Sequence, residues 1–133
     1  IGGDYGLLDR LTRKPRPDFW ASWLWGNLMG TAVYEVSSSL PWVRAYLHED
    51  PQERGMTLLL INLSEQTIPV RLNNLGQVKE RYNLRAKKAT SRKLQLNGAR
   101  PKLNKGRVNL LDFPAVSEAD ELPGRSIAFW CLR

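Results

Sequence analysis

Beyond residue 30 the chain abandons helical spacing and breaks into seven short β-prone runs, at 31–36, 43–48, 56–63, 67–72, 78–86, 93–96 and 126–132. Short runs punctuated by turn residues in this way predict a β-sandwich, since each run buries one face and then reverses. The run 56–63 is almost continuously apolar, which predicts a central strand covered on both sides. Asn97-Gly98 is a strong hairpin signal, because both residues tolerate the left-handed backbone of a two-residue turn. Asn73-Asn74-Leu75-Gly76 is a weaker signal, and 51–55 also reads as a turn. The stretch 109–124 reads as a long loop with a short extended piece.

Before residue 31 the pattern differs. Phe19, Trp20, Trp23, Leu24, Asn27 and Leu28 recur at spacings of three and four, as one helix face requires. Pro17 and Asp18 stand where a helix starts, and Gly30 stands where it would stop. The predicted helix has about 12 residues. Trp25 and Met29 widen its apolar surface, so it is expected to pack on more than one side. A Trp-rich helix beside an all-β domain needs a cover. Either the sandwich supplies it, or a partner outside this sequence does.

The 133 residues suit one compact domain, and 42% hydrophobic with 25% charged residues is ordinary for a folded chain. No apolar run approaches the roughly 20 residues that span a bilayer. Ile1-Gly2-Gly3-Asp4-Tyr5 has neither a charged leader nor a Met, so the chain is expected to be a processed or excised part of something longer. Net charge is +7, concentrated between 79 and 107, where eleven Lys and Arg face Glu80 alone for a local +10 against −3 elsewhere. Such a block attracts nucleic acid, anionic polysaccharide or an acidic surface; it also serves simply as solvated strand faces.

Chemistry is sparse. The single histidine, His48, heads His48-Glu49-Asp50 at a strand end, where successive side chains point to opposite faces and do not converge on a metal. Cys131 is alone in the last apolar run and reads as a buried small side chain. No nucleophile elbow, phosphate loop, zinc spacing or dinucleotide fingerprint is present, and no acidic pair stands in a strand-end context. No catalytic, metal-binding or cofactor-binding residue is therefore assigned within the chain. Asn62-Leu63-Ser64 matches the glycosylation pattern.

The order of several motifs carries a family resemblance. Gly2-Gly3-Asp4-Tyr5-Gly6-Leu7-Leu8-Asp9, Pro17-Asp18-Phe19-Trp20 and Leu28-Met29-Gly30-Thr31 resemble the end of the barrel in heparanase-like glycoside hydrolases (family seventy-nine, β-glucuronidases and heparanases). Arg44-Ala45-Tyr46-Leu47-His48, the run Thr57 through Leu63, Leu96-Asn97-Gly98 and Ser126-Ile127-Ala128-Phe129 resemble the same proteins in the same order. The resemblance implies a (β/α)₈ barrel with an appended β-sandwich: residues 1–30 would be the last strand, loop and helix of the barrel, and 31–133 the sandwich. It implies a retaining glycosidase acting beside a uronic acid with two glutamates about 5 Å apart, both upstream of Ile1. It further implies that Gly3 and Tyr5 contact the substrate carboxylate, that the upstream barrel is the partner, and that the setting is secreted, extracellular or lysosomal-like. A glycine turn suits an anion physically, because it brings backbone N–H groups close.

Two departures bear on the substrate. Animal heparanases carry a cysteine directly after the matching Tyr-Leu-His, where Glu49 stands here, and their basic cluster before that strand is replaced by Leu40-Pro41-Trp42-Val43. A smaller or different glucuronide is thus at least as well supported as heparan sulfate. The competing class is a non-catalytic carbohydrate- or polyanion-binding sandwich using Lys87, Lys88, Arg92 and Lys93. Nucleic acid is not an expected partner, since no recognition module or exposed aromatic platform accompanies the charge.

Overall fold

A computed structural model describes residues 6–88, 90–114 and 120–133 of the chain. It is mainly β, with one helix, α1 (Pro17–Leu28), of the 12 residues expected. Pro17 occupies the first helical position, where its missing N–H costs nothing, and Asp18 lies in the positive first turn. Gly30 is not the left-handed stop that its position suggested. The helix closes through Met29, whose N–H donates to Trp25 O at 2.9 Å. A side chain at residue 30 would instead meet Glu49 O at 2.5 Å, so the glycine is needed for close backbone approach.

The strands are β1 (Val33–Tyr34), β2 (Val43–Glu49), β3 (Met56–Asn62), β4 (Ile68–Pro69), β5 (Val78–Ala86), β6 (Leu94–Leu96), β7 (Glu121–Leu122) and β8 (Ser126–Leu132), with a 3₁₀ turn at Leu110–Asp112. Six form an open antiparallel sheet in the order β1-β2-β3-β8-β5-β6, and β4 and β7 pair separately. The C-terminal strand thus lies in the middle, with Leu58 opposite Trp130 on one side and Tyr82 opposite Phe129 on the other. Asn97 and Gly98 take φ of 52° and 81° between reciprocal Leu96 and Ala99 hydrogen bonds, the predicted two-residue turn.

Strand alternation divides the core. Leu59, Phe129, Cys131, Tyr82 and Leu84 face α1, where Trp20, Leu24 and Leu28 meet them. Leu58, Leu60, Ala128, Trp130 and Leu132 face the other way, onto Val43, Leu47 and Leu122. Both faces of β3 and β8 are covered, which is why their sequences read as unbroken apolar runs. A 12-residue helix is marginal alone in water. Burying Trp20, Leu24 and Leu28, at about 1.5–3 kcal/mol for each large apolar side chain, is what holds it.

The sequence predicts a β-sandwich; the structure shows a mainly β chain built on one open six-stranded antiparallel sheet. On the face away from α1, the described residues that cover the large sheet are the two-stranded β4–β7 sheet and loop side chains such as Val36, Leu40 and Leu72. The run 67–72 contributes just Ile68–Pro69, because Pro69 has no N–H for a ladder and its partner is equally short. The run 31–36 shrinks to Val33–Tyr34, which holds the sheet edge with β2 as its one partner.

Candidate functional site

The expected substrate-binding residues Gly3 and Tyr5 lie outside the described residues. Residues 7–16 form a closed loop leading into α1. Leu8 bridges Pro15, and Arg16 N–H donates to Leu7 O at 2.9 Å. The Asp9 carboxylate accepts from the N–H groups of Thr12 at 2.9 Å and Leu11 at 3.0 Å. Those bonds, Thr12 first, hold its carboxyl below the usual range. The start of the helix is thereby fixed beside the connection that succeeds β6.

The side chains that carry most chemical potential are engaged structurally. His48 Nδ1–H donates to Gly30 O at 2.7 Å, and its ring meets Trp25 edge-on with centroids 5.1 Å apart. It therefore pins the end of α1 to the end of β2. Asp50 is buried and accepts from Gln52 N–H at 2.7 Å and from Arg54. Burial works to raise its carboxyl, but those hydrogen bonds and the Arg54 charge outweigh it and leave the pKa lowered. Burial pushes the Cys131 thiol up to about 11, with the Glu80 charge adding to it. The thiol is protonated near neutrality and is a poor nucleophile. Tyr82 donates to Glu80 Oε2 at 3.1 Å, and burial, then that carboxylate, raises its pKa.

Asn62 is 1% exposed, and its amide donates to Gln66 O at 2.9 Å and Pro123 O at 3.1 Å, while Oδ1 accepts from Ser64. In the folded chain the glycosylation pattern is thus a turn lock whose nitrogen is already used. Among the described residues, no group of three or more His, Cys, Asp or Glu could hold a metal.

An open face remains. Trp25, Val33 and Tyr46 are 42%, 67% and 46% exposed, on the α1 side of the large sheet beside His48. The sequence signal for it was Trp25, which falls off the stripe of Trp20, Leu24 and Leu28. Nothing described in this chain covers these side chains.

The basic block does not form one patch. Arg81 is largely buried, stacked 5.3 Å over the Trp130 ring and paired with Asp120 at 2.5 Å. Trp130 Nε1–H donates to Asn83 Oδ1 at 3.0 Å, while Asn97 donates to Arg81 O and Pro114 O, each at 2.9 Å. This polar knot was not visible in the sequence, since its members are scattered and of unlike type. Of Lys87, Lys88, Arg92 and Lys93, only Arg92 lines a cleft against the start of α1, joined there by Arg13, Lys14, Arg100 and Lys102.

No protein-family profile matches the sequence. Individual proteins do. The chain is similar to heparanase-like protein 2 of Arabidopsis thaliana (43% identical over 68 residues, 50% of this chain and 13% of that protein). It is also similar to the baicalin-β-D-glucuronidase of Scutellaria baicalensis (33% over 103 residues, 73% and 20%). A third similarity is to the hyaluronoglucuronidase of Hirudo nipponia (28% over 116 residues, 76% and 24%). The chain is thus related to heparanase-like proteins and glucuronidases, and the matched part spans no more than 24% of their lengths.

Proposed function

We propose that the chain is the C-terminal portion of a retaining glycoside hydrolase that cleaves β-glucuronide or related uronic-acid bonds. The observation that carries this reading is the similarity to two glucuronidases across about three quarters of the chain, 73% and 76% of it. In this reading residues 1–30 are the last β/α unit of a (β/α)₈ barrel, and 31–133 are the β-domain appended to it. The open face around Trp25, Val33 and Tyr46 agrees with it, since α1 turns one side to the sheet and leaves Trp25 for a second body.

The chemistry derives from what such a barrel supplies. Its site lies at the C-terminal strand ends, where Gly3 and Tyr5 would stand on the eighth strand. One upstream glutamate protonates the leaving oxygen, and a second attacks the anomeric carbon, giving a glycosyl ester that water then opens. Backbone N–H groups at Gly3 and the Tyr5 hydroxyl hold the uronate carboxylate, selecting acid sugars over neutral ones. A structure of the longer polypeptide tests this. Two glutamates about 5–5.5 Å apart at strand ends, with Tyr5 at the pocket wall, agree with a retaining mechanism. A barrel without that pair, or none at all, rejects the reading.

A further inference from the structure

We infer that the cleft between the start of α1 and the chain after β6 is a subsite for the anionic groups of a polysaccharide. Its volume is about 590 Å³, within the range of roughly 300–1,000 Å³ typical of ligand pockets. Arg13, Lys14, Arg92, Arg100 and Lys102 all line it. These five cations come from three separate chain segments. Among the described residues no carboxylate lines the cleft, and none of the five has a carboxylate within 4.0 Å. Asp9 and Asp18, the acidic residues nearest in sequence to Arg13 and Lys14, are absent from its walls.

Gathering five like charges costs repulsion, about 1 kcal/mol for a pair 4 Å apart in water. Among the described residues no counter-charge in the cleft offsets that cost, whereas Arg81, Arg54 and Arg125 elsewhere each have one. Pro17, at the first helical position, also lines the cleft, so the positive end of the helix dipole adds to the field. The floor is apolar: Trp20 and Pro101 are buried beneath it, with Leu94 and Leu103 beside them. Several cations around an apolar lining suit a chain of carboxylated or sulfated sugar rings. Bases are less well served, since Trp20, the one aromatic among the described lining residues, is too buried to stack on them.

The choice of a saccharide among polyanions rests on the enzyme reading above. In a (β/α)₈ barrel the N-terminal ends of the helices lie on the same side as the catalytic strand ends. The cleft would then sit on the mouth side of the barrel, where a long substrate leaves the active site. It adds a distal subsite, beyond the carboxylate held by Gly3 and Tyr5.

The test is equilibrium binding of the 133-residue chain to a heparin octasaccharide, a hyaluronan octasaccharide and a single-stranded DNA of matched charge, at about 0.15 M salt. Two triple variants carry the same charge change. One is Arg92→Glu with Arg100→Glu and Lys102→Glu, inside the cleft; the other is Lys87→Glu with Lys88→Glu and Lys105→Glu, outside it. The cleft variant is expected to lose at least about tenfold in saccharide affinity, and the outside variant less than about threefold. Near-UV circular dichroism checks folding, and Arg100→Ala with Lys102→Ala replaces the cleft variant if that one unfolds. Binding of heparin alone assigns sulfate recognition, while binding of both saccharides makes carboxylates sufficient. Equal losses in the two variants, DNA binding as tight as the saccharides, or no saccharide binding by the unaltered chain would each overturn the inference. Turnover of a small aryl glucuronide by the longer polypeptide reports on the enzyme reading separately, because that substrate does not extend to the cleft.

Discussion

Asn62 shows how one side chain changes meaning between sequence and fold. As a string, Asn62-Leu63-Ser64 invites a glycan; in the structure the amide ties β3 to the turn at Gln66 and to Pro123 ahead of β8. Asn62→Ala strands those carbonyls in a buried place and is expected to cost about 1–3 kcal/mol in a denaturation experiment. Mass spectrometry of the protein from a glycosylating host should find residue 62 unmodified. Asp50 gives a pH signature. Its carboxyl lies below the ordinary ~3.9, so its stabilisation is complete above that value and is lost as pH falls through the folded-state value. Asp50→Asn is expected to lower stability by about 1–2 kcal/mol near neutrality, allowing for the partly exposed Arg54. The gap to the unaltered protein should narrow as pH falls below that ordinary value in an acid titration of unfolding. A gap that stays constant with pH would show that the charge is not what Asp50 contributes.

At the scale of elements, α1 is held by packing. Leu24 is fully buried between Trp20 and Leu28 against the sheet, so Leu24→Ala is expected to cost about 2–5 kcal/mol in thermal or chemical unfolding. Trp25 should behave in the opposite way. With Tyr46 it lies on the open face, and Trp25→Ser with Tyr46→Ser is expected to change the stability of this chain by no more than about 1 kcal/mol. The same pair should destabilise the longer polypeptide by more than that if the face meets a barrel. An equal effect in both would remove the barrel as its cover. Much of the element pattern was legible: β5 and β8 keep their expected bounds, β2 and β3 differ by one residue, and α1 has the expected length although it closes at Met29 and not through Gly30. Strand order was not, because nothing local in Ser126–Leu132 says that the last strand enters between β3 and β5. β1 and β4 are shorter than their runs, since short strands depend on partners more than on β-propensity, and β7 is the short extended piece of the stretch 109–124. Gly30 marks the end of the helix for a reason that local sequence does not hold, because Glu49 lies far along the chain and its carbonyl becomes a neighbour only through the fold.

For the whole molecule, the basic block was visible as a run of charge but not as a site. Arg81 leaves it for Trp130 and Asp120, while Arg13 and Lys14 join from a distant segment to make the cleft. The residues expected to touch substrate, Gly3 and Tyr5, rest on motif resemblance, and the similarity to glucuronidases supports the same enzyme class. We propose that this β-domain works as the end of a longer uronic-acid glycosidase whose reacting carboxylates lie elsewhere in the polypeptide. The most direct measurement is hydrolysis of an aryl β-glucuronide by the 133-residue chain and by the longer polypeptide that contains it, under identical conditions. No turnover above background is expected for the chain alone and clear turnover for the longer protein, with an aryl glucoside a poor substrate. Hydrolysis by the isolated chain, or a longer protein that leaves glucuronides intact, would contradict it.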